Sequence, residues 1–340
     1  MQKKYNIAIV GATGIVGETL LELLAERDFP VGELFALASE KSTGNTVLFR
    51  DKPIIVQALD KFDFSKVDFS FFAAGNEISL KYAPIAAEAG CVVIDKSTAF
   101  RYEKDVPLVV PEVNPAVLKN YHEKNIIANP NCTTVPLVVA IKPIYDHFGI
   151  ERINIATYQS VSGAGKIGIE TLAKETADLL NGQEVVETGL EKQIAFNVIP
   201  KIDAYHENGY TLEEMKLVWE TQKILNDKNI LINPTAVRVP VFFGHSAAVH
   251  IETKKFADAF LVRQLLEKAP GITVIDENDY PTPITHAANH DSVFVGRIRN
   301  DISHKNGIDL WIVADNVRKG AALNAIQIVE LLIQKSVYRH

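Results

Sequence analysis

The chain has 340 residues, a formal net charge of −7, 47% hydrophobic residues and 23% charged ones. That length exceeds one ordinary core and predicts two domains, and the composition excludes an intrinsically disordered chain. The acidic balance argues against a nucleic-acid partner, while two cysteines, Cys91 and Cys132, exclude a disulfide framework and fit a reducing cytoplasm.

Lys3 and Lys4 precede an apolar run at residues 7–10, an order shared with signal peptides. The run is short and leads into glycines rather than a cleavage site, so it reads as a first strand. No uncharged apolar stretch approaches membrane-spanning length; residues 135–144 are broken by Lys142, and no membrane partner is expected. The first strand ends at Gly11 Ala12 Thr13 Gly14 Ile15 Val16 Gly17, and Leu20, Leu21, Leu23 and Leu24 follow at helical spacing. Strand, glycine turn, helix is the order a dinucleotide site requires. Gly11 permits the tight turn, Gly14 lets the backbone approach a pyrophosphate, and Gly17 lets the helix pack on the strand. The spacing is G-x-x-G-x-x-G rather than G-x-G-x-x-G, a partial match that an ordinary strand-to-helix turn also produces.

A second strand, residues 34–38, ends at Ser39 Glu40 Lys41 Ser42 Thr43 Gly44. At this strand end an acidic group selects NAD and a basic group accepts the 2′-phosphate of NADP. Glu40 and Lys41 pull in opposite directions; Ser39, Lys41 and Ser42 together suit a phosphate and favour NADP, and a solvated charged loop is the plain alternative. The strand at 67–74 ends at Gly75 Asn76, a helix follows over 80–89, and a strand at 91–94 closes at Asp95 Lys96 Ser97 Thr98 Ala99 Phe100 Arg101. This alternation predicts a parallel sheet whose ligands gather at the carboxyl ends of the strands. Cys91 enters its strand from the other end and reads as core. Arg101 stands on the ligand side, suited to a phosphate or carboxylate, or equally to a surface pair with Glu103 or Asp105.

Asn129 Pro130 Asn131 Cys132 Thr133 Thr134 Val135 Pro136 reads as a turn that delivers a cysteine to the start of a helix. Unpaired backbone N–H groups and the helix dipole there favour thiolate, which makes Cys132 the first candidate nucleophile, although residue type alone favours a buried small hydrophobe. A helix over 135–147 is followed by a strand over 153–161, with Gln159 near its end, then Ser162 Gly163 Ala164 Gly165. Helices are predicted over 170–181 and 212–226; the second carries Glu213, Glu214, Lys216, Glu220 and Lys223, expected on its solvated face. A strand over 236–243 contains Arg238 and leads to Gly244 His245 Ser246. His245 has a suitable pKa for acid/base work and is equally readable as a structural histidine. A strand over 249–253, a helix over 256–269 stopped by Pro270 Gly271, a strand over 310–314, a loop containing Asn316 and a last helix over 321–334 complete an α+β pattern.

Taken together these stretches resemble the bacterial aspartate-semialdehyde dehydrogenase family. The most specific are Asn129 Pro130 Asn131 Cys132 Thr133, Tyr158 Gln159 with Ser162 Gly163 Ala164 Gly165, residues 194–200, Arg238 Val239 Pro240 Val241 with Gly244 His245 Ser246, and Asp315 Asn316 with residues 318–324. The resemblance implies an α/β fold: a Rossmann-type NADP-binding domain at 1–130 plus 317–340, and an α+β catalytic and dimerisation domain at 131–316, like that of glyceraldehyde-3-phosphate dehydrogenase. It implies a cytoplasmic homodimer, without a metal, that reduces L-aspartyl 4-phosphate with NADPH to L-aspartate 4-semialdehyde and phosphate, in the biosynthesis of lysine and diaminopimelate, threonine, methionine and isoleucine. Cys132 would form a thioester, His245 would move protons, Gln159 would orient the substrate and Arg238 would clamp its α-carboxylate. Arg101, Asn131 and Lys223 match phosphate-binding positions, and Glu220 one that meets the substrate ammonium. Thr13, Gly14, Ile15 and Val16, within the turn from Gly11 to Gly17, match the pyrophosphate site, Lys41 and Ser42 the 2′-phosphate site, and Asn316 a contact near the nicotinamide; Gly75, Ser162 and Gly163 join the expected cofactor residues. The chain departs from the family at Lys41, where arginine is usual, at Lys96, usually asparagine, and at Ala247, commonly acidic. N-acetyl-glutamyl-phosphate reductase and glyceraldehyde-3-phosphate dehydrogenase share the thioester chemistry, but their nucleophile motifs differ from Asn131 Cys132 Thr133. A non-catalytic nucleotide-binding relative would need neither Cys132 nor its partners.

Overall fold

The computed structural model describes residues 3–186 and 189–337; residues 1–2 and 338–340 of the expected first domain lie outside the described residues. The chain divides into two compact units, one of residues up to Asn131 together with those from Ala321 onward, the other Cys132–Gly320.

The first unit runs through β1 (Tyr5–Val10), α1 (Ile15–Glu26), β2 (Val31–Ala38), β3 (Thr46–Phe49), β4 (Lys52–Ile55), β5 (Gln57–Ala58), β6 (Phe69–Phe72), α2 (Asn76–Glu88), β7 (Val92–Asp95) and β8 (Ile126–Ala128). Among the described residues, six of these strands form a parallel sheet ordered β5-β2-β1-β6-β7-β8. Parallel strands are covered on both faces, which is why they read as unbroken apolar runs; Ile7, Ile9, Val10 and Leu37 are fully buried. The chain order reverses between β2 and β6, and such a switch point opens a crevice at the carboxyl end of β1. The hairpin of β3 and β4 was not visible in the sequence. Its turn residues, Arg50 and Asp51, both have positive φ (49° and 62°), without the Asn-Gly or Asp-Gly signal that usually marks such a turn.

The second unit contains α3 (Thr134–Phe148), β9 (Ile150–Gln159), α4 (Lys166–Leu180), α5 (Leu212–Leu225), β10 (Leu231–Arg238), β11 (His245–Thr253), α6 (Ala259–Glu267), β12 (Ile272–Val274), β13 (Val293–Asn300) and β14 (Gly307–Ala314). Among the described residues its sheet is mixed, ordered β10-β9-β11-β14-β13-β12, with β10–β9 and β12–β13 parallel and the remaining pairs antiparallel. β9 alternates, with Ile153, Ile155, Thr157 and Gln159 buried and Tyr158 exposed. α3, α5 and α6 pack on this unit's sheet, and α5 and α6 each pack on α3. β10 ends at Arg238, five residues earlier than the predicted Phe243, because the next segment contains Pro240 and turns to bond with the loop after β9 (Val161 N to Val241 O, 2.8 Å). No helix among the described residues is long and apolar enough to cross a membrane.

The last helix, α7 (Leu323–Val337), belongs to the first unit. Leu323, Ile326 and Val329 share a core with Ile7, Ile9 and Leu24. Asn324 Nδ2 donates to Asn129 Oδ1 at 2.8 Å and to Val109 O at 3.0 Å, and Arg27, which caps the end of α1, pairs with Glu330 at 2.7 Å.

Candidate active site

In the first unit a cleft of about 470 Å³ opens at the carboxyl ends of β1, β2 and β6, lined among others by Gly11, Thr13, Gly14, Ser39, Glu40 and Ser42. Gly11 has φ +88°, and a Cβ there would stand 2.8 Å from Ala73 O, so only glycine makes this turn. A Cβ on Gly17 would meet Gly11 O at 2.2 Å, so this glycine lets α1 sit against the loop. Gly14 caps α1, and Ile15 and Val16 form its first turn, where backbone N–H groups lack helical partners and favour an anion. Gly75, with φ +92°, caps α2. Lys41 and Ser42 lie in one 3-10 turn, Glu40–Ser42; Ser42 lines the cleft, Lys41 is exposed, and Glu40 lies 3.7 Å from Lys61.

Elsewhere in this unit Arg101 is buried, not the surface residue of the plain alternative. Its Nε donates to Asn129 O at 3.0 Å and its Nη2 to Lys96 O at 2.5 Å. Burial pushes the neighbouring Asp95 carboxyl above its usual range, opposed by hydrogen bonds from Ser79 and Ser97 and by the Arg101 charge. Asn131 is buried too, at the end of this unit's first stretch.

In the second unit the strand register does the assembling. Gln159 ends β9 and Arg238 ends β10 as direct partners in the parallel pair, and His245 begins β11, with Ser246 opposite Tyr158. Cys132 precedes Thr133, the N-cap of α3, and its Sγ lies 3.4 Å from His245 Nε2. Gln159, Arg238 and His245 are all buried. Arg238 Nη1 donates to Ser160 O at 2.9 Å. Its pKa is lowered by burial, against the opposing charges of Glu213 and Cys132. Burial, with the Arg238 charge beside it, holds the His245 ring well below its usual pKa and so keeps it neutral.

Three of the expected cofactor residues lie around His245. A Cβ on Gly163 would stand 2.8 Å from Arg238 Nη1 and 3.3 Å from His245 Nε2, so glycine is what lets both side chains close on the turn. Asn316 Oδ1 accepts from Gly244 N (3.0 Å), Ser160 Oγ (3.1 Å) and Ser162 Oγ (3.1 Å). Ser160, which the sequence did not single out, donates its N–H to His245 Nδ1 at 3.1 Å, and its hydroxyl oxygen lies 3.1 Å from the same nitrogen. Gly320 backs the nucleophile, since a Cβ there would lie 3.1 Å from Cys132 Cβ.

The charged residues of α5 overturn an expectation. Glu213, Glu214 and Glu220 are buried instead of forming a solvated face. Each of the first two has inward partners. Glu214 completes a capping box with Thr211 and also accepts Ala236 N at 2.9 Å. Glu213 takes Lys216 Nζ at 2.9 Å and Gln159 Nε2 at 3.3 Å. Burial alone would depress the Lys216 pKa, but Glu213 and Asp203 raise it. Lys223, on the last turn of the helix, is half-buried.

A dinucleotide-type crevice in one unit and a thiol–imidazole pair beside an arginine in the other match, in sequence, the two parts of a semialdehyde dehydrogenase. A family model of the semialdehyde dehydrogenase NAD binding domain matches residues 6–121, and one of the semialdehyde dehydrogenase dimerisation domain matches residues 141–319. Aspartate-semialdehyde dehydrogenase 2 of Vibrio cholerae is 59% identical over 334 residues, 98% of this chain and 99% of the relative, and the enzyme of Aquifex aeolicus is 50% identical over 338 residues, 98% of this chain and 99% of that one. The crystal structure of the V. cholerae aspartate semialdehyde dehydrogenase II, complexed with ASA, superposes with a TM-score of 0.97 at 58% identity, covering 98% of this chain and 99% of that chain. The chain belongs to the aspartate-semialdehyde dehydrogenase family.

Proposed function

We propose that this chain reduces L-aspartyl 4-phosphate to L-aspartate 4-semialdehyde and phosphate, using NADPH, through a thioester on Cys132. The observation that carries this reading is the Cys132 Sγ to His245 Nε2 distance of 3.4 Å, beside an arginine and a glutamine paired at adjoining strand ends. Thiolate attack on the acyl phosphate forms the C–S bond and expels phosphate with its electron pair, which divides one hard displacement into two easier steps. Arg238 is the partner for the substrate α-carboxylate, Gln159 orients the acyl group, and Glu220 suits the ammonium. Arg101, Asn131 and Lys223 are the proposed phosphate ligands.

The first-unit cleft fits NADPH, because Gly11, Thr13 and Gly14 bring bare backbone and a helix N-terminus to one wall while Ser42 lines another. Those residues, with Gly75 and Lys41 flanking, would hold the cofactor, which would supply a hydride for reduction of the thioester. His245 then faces the hemithioacetal oxygen, and collapse of that adduct returns the Cys132 thiolate. V. cholerae and Candida albicans enzymes were crystallised with ASA and with NADP respectively, in keeping with this assignment. The match to a dimerisation domain supports a homodimer formed through the second unit, and free Cys91 and Cys132 suit a reducing cytoplasm.

The test is a steady-state assay with aspartate semialdehyde, phosphate and NADP, run beside Cys132→Ala. NADPH production is expected from the wild type and none from the variant. Turnover of N-acetyl-glutamate semialdehyde alone, or an active Cys132→Ala protein, would sink the reading.

A further inference from the structure

One edge of the first-unit cleft is built from two matching turns. β2 and β5 run parallel with Leu37 beside Gln57 and Ala38 beside Ala58, and both strands end at that level. The segments that follow therefore leave the sheet side by side. Each enters one 3-10 turn, Glu40–Ser42 after β2 and Leu59–Lys61 after β5, and each turn carries a carboxylate followed by a lysine, Glu40 Lys41 in the first and Asp60 Lys61 in the second. The first loop is tied down, since Gly44 N donates to Val56 O at 3.0 Å and Val56 N to Asn45 O at 2.8 Å, directly before β5. Ser39, Glu40, Ser42, Leu59 and Asp60 all line the cleft. Lys61 reaches from the second turn to the first, its Nζ 3.7 Å from Glu40 Oε1.

We propose that Lys61 is a specificity-determining residue of this cleft: with Lys41 it forms a two-lysine clamp for the 2′-phosphate of the adenosine ribose, and Glu40 is the carboxylate from which that phosphate draws it. This deepens the cofactor assignment made above and rests on it.

Charge and geometry support the clamp. A phosphate monoester carries nearly two negative charges at neutral pH. Lys41 stands where an arginine would bring a planar fork, and one ammonium supplies neither the fork nor a second charge. A second lysine from the adjoining turn makes up the charge. Without phosphate the four groups are neutral as a set, Glu40 and Asp60 balancing Lys41 and Lys61. The Lys61–Glu40 pair is loose: its side chains are 73% and 79% exposed, and an exposed pair contributes little. A dianion therefore outcompetes the single carboxylate for Lys61. Glu40 has the opposite effect, because a carboxylate at the end of this strand suits a free ribose 2′-hydroxyl and repels a phosphate there. The preference for NADP over NAD is set by the balance between Glu40 and the two lysines.

Adenosine 2′,5′-bisphosphate and 5′-AMP test this without turnover, since neither carries a nicotinamide. Isothermal titration calorimetry on the full-length protein should show the bisphosphate binding more tightly than 5′-AMP. Lys61→Gln should weaken the bisphosphate about 5- to 10-fold, the scale of a charge-assisted hydrogen bond between exposed groups, and leave 5′-AMP within twofold. Glu40→Gln should tighten the bisphosphate about threefold, because Lys61 no longer has to be drawn from a carboxylate; no gain there would overturn the part given to Glu40. An unchanged bisphosphate affinity in Lys61→Gln, or an equal loss of both nucleotides, removes Lys61 from the site. A wild type that binds the two nucleotides equally would defeat the NADPH assignment itself, whereas a wild type that prefers the bisphosphate beside an unaltered Lys61→Gln would defeat the clamp alone.

Discussion

Gly163 shows how closely the active-site turn is fitted. A single methyl there would stand 2.8 Å from Arg238 Nη1, forcing the guanidinium to move, and would crowd the His245 ring. Gly163→Ala should therefore cut kcat/KM on the order of 100-fold, the usual cost of misplacing reacting groups by about an ångström, while the melting temperature changes little. Wild-type activity in that variant would show that the turn yields. The two cysteines make a second contrast at this scale. Cys91 is fully buried, its thiol pushed up to about 12 by burial. Iodoacetamide near neutral pH should label the native protein at Cys132 and leave Cys91 untouched until denaturant is added. Peptide mapping reads this directly, and labelling of native Cys91 would contradict its burial.

At the scale of elements, α5 holds its charges inward, and that has an energetic consequence. Removing one partner of a buried pair strands the other, at a cost of about 3 kcal/mol. Glu213→Ala leaves Lys216 with Asp203 alone, and Gln159 and Arg238 without their carboxylate. It should destabilise the protein by about that amount in urea unfolding and raise KM, whereas Thr211→Ala, which breaks only the capping box, should cost about 1 kcal/mol and leave KM alone. The same helix shows what sequence can carry. In the first unit β1, β2, β6 and β7 were legible because burial on both faces leaves an apolar run, and the glycine turn because backbone conformation dictates residue type, whereas the short strands β3, β4, β5 and β8 were not read. The face α5 buries was misread because its carboxylates look solvated until Lys216, Ala236 and Gln159 are known to face them. The Ser160–Asn316–Gly244 network was invisible for a related reason. Its members are 72 to 156 residues apart in the chain and meet only through strand register.

For the whole molecule, the open side of the second sheet and the buried histidine each set an expectation. Tyr158 and Trp311 lie together, ring centroids 5.6 Å apart, with Tyr158 exposed on the strand face opposite Gln159. If the homodimer forms there, Tyr158→Glu should shift the protein to monomers in analytical ultracentrifugation; an unchanged dimer would place the interface elsewhere. For His245 the folded pKa lies well below 6.5. Between the two values the unfolded chain binds the proton and the folded one does not, so stability rises with pH across that window and levels off above it. The melting temperature should fall more steeply from pH 7 to 5.5 in the wild type than in His245→Asn; equal slopes would mean that the ring is protonated when folded.

The return of α7 to the first sheet has a consequence for the order of synthesis. The strands of that sheet have all been synthesised by Ala128, yet part of their core, Leu323, Ile326 and Val329, is made nearly two hundred residues later. The unit begun first is thus the one completed last, and a nascent chain carries an unfinished hydrophobic surface through the translation of some two hundred further residues. A chain stopped after Gly320 should retain the parts of the second unit while leaving the nucleotide-binding half open to proteolysis and to chaperones.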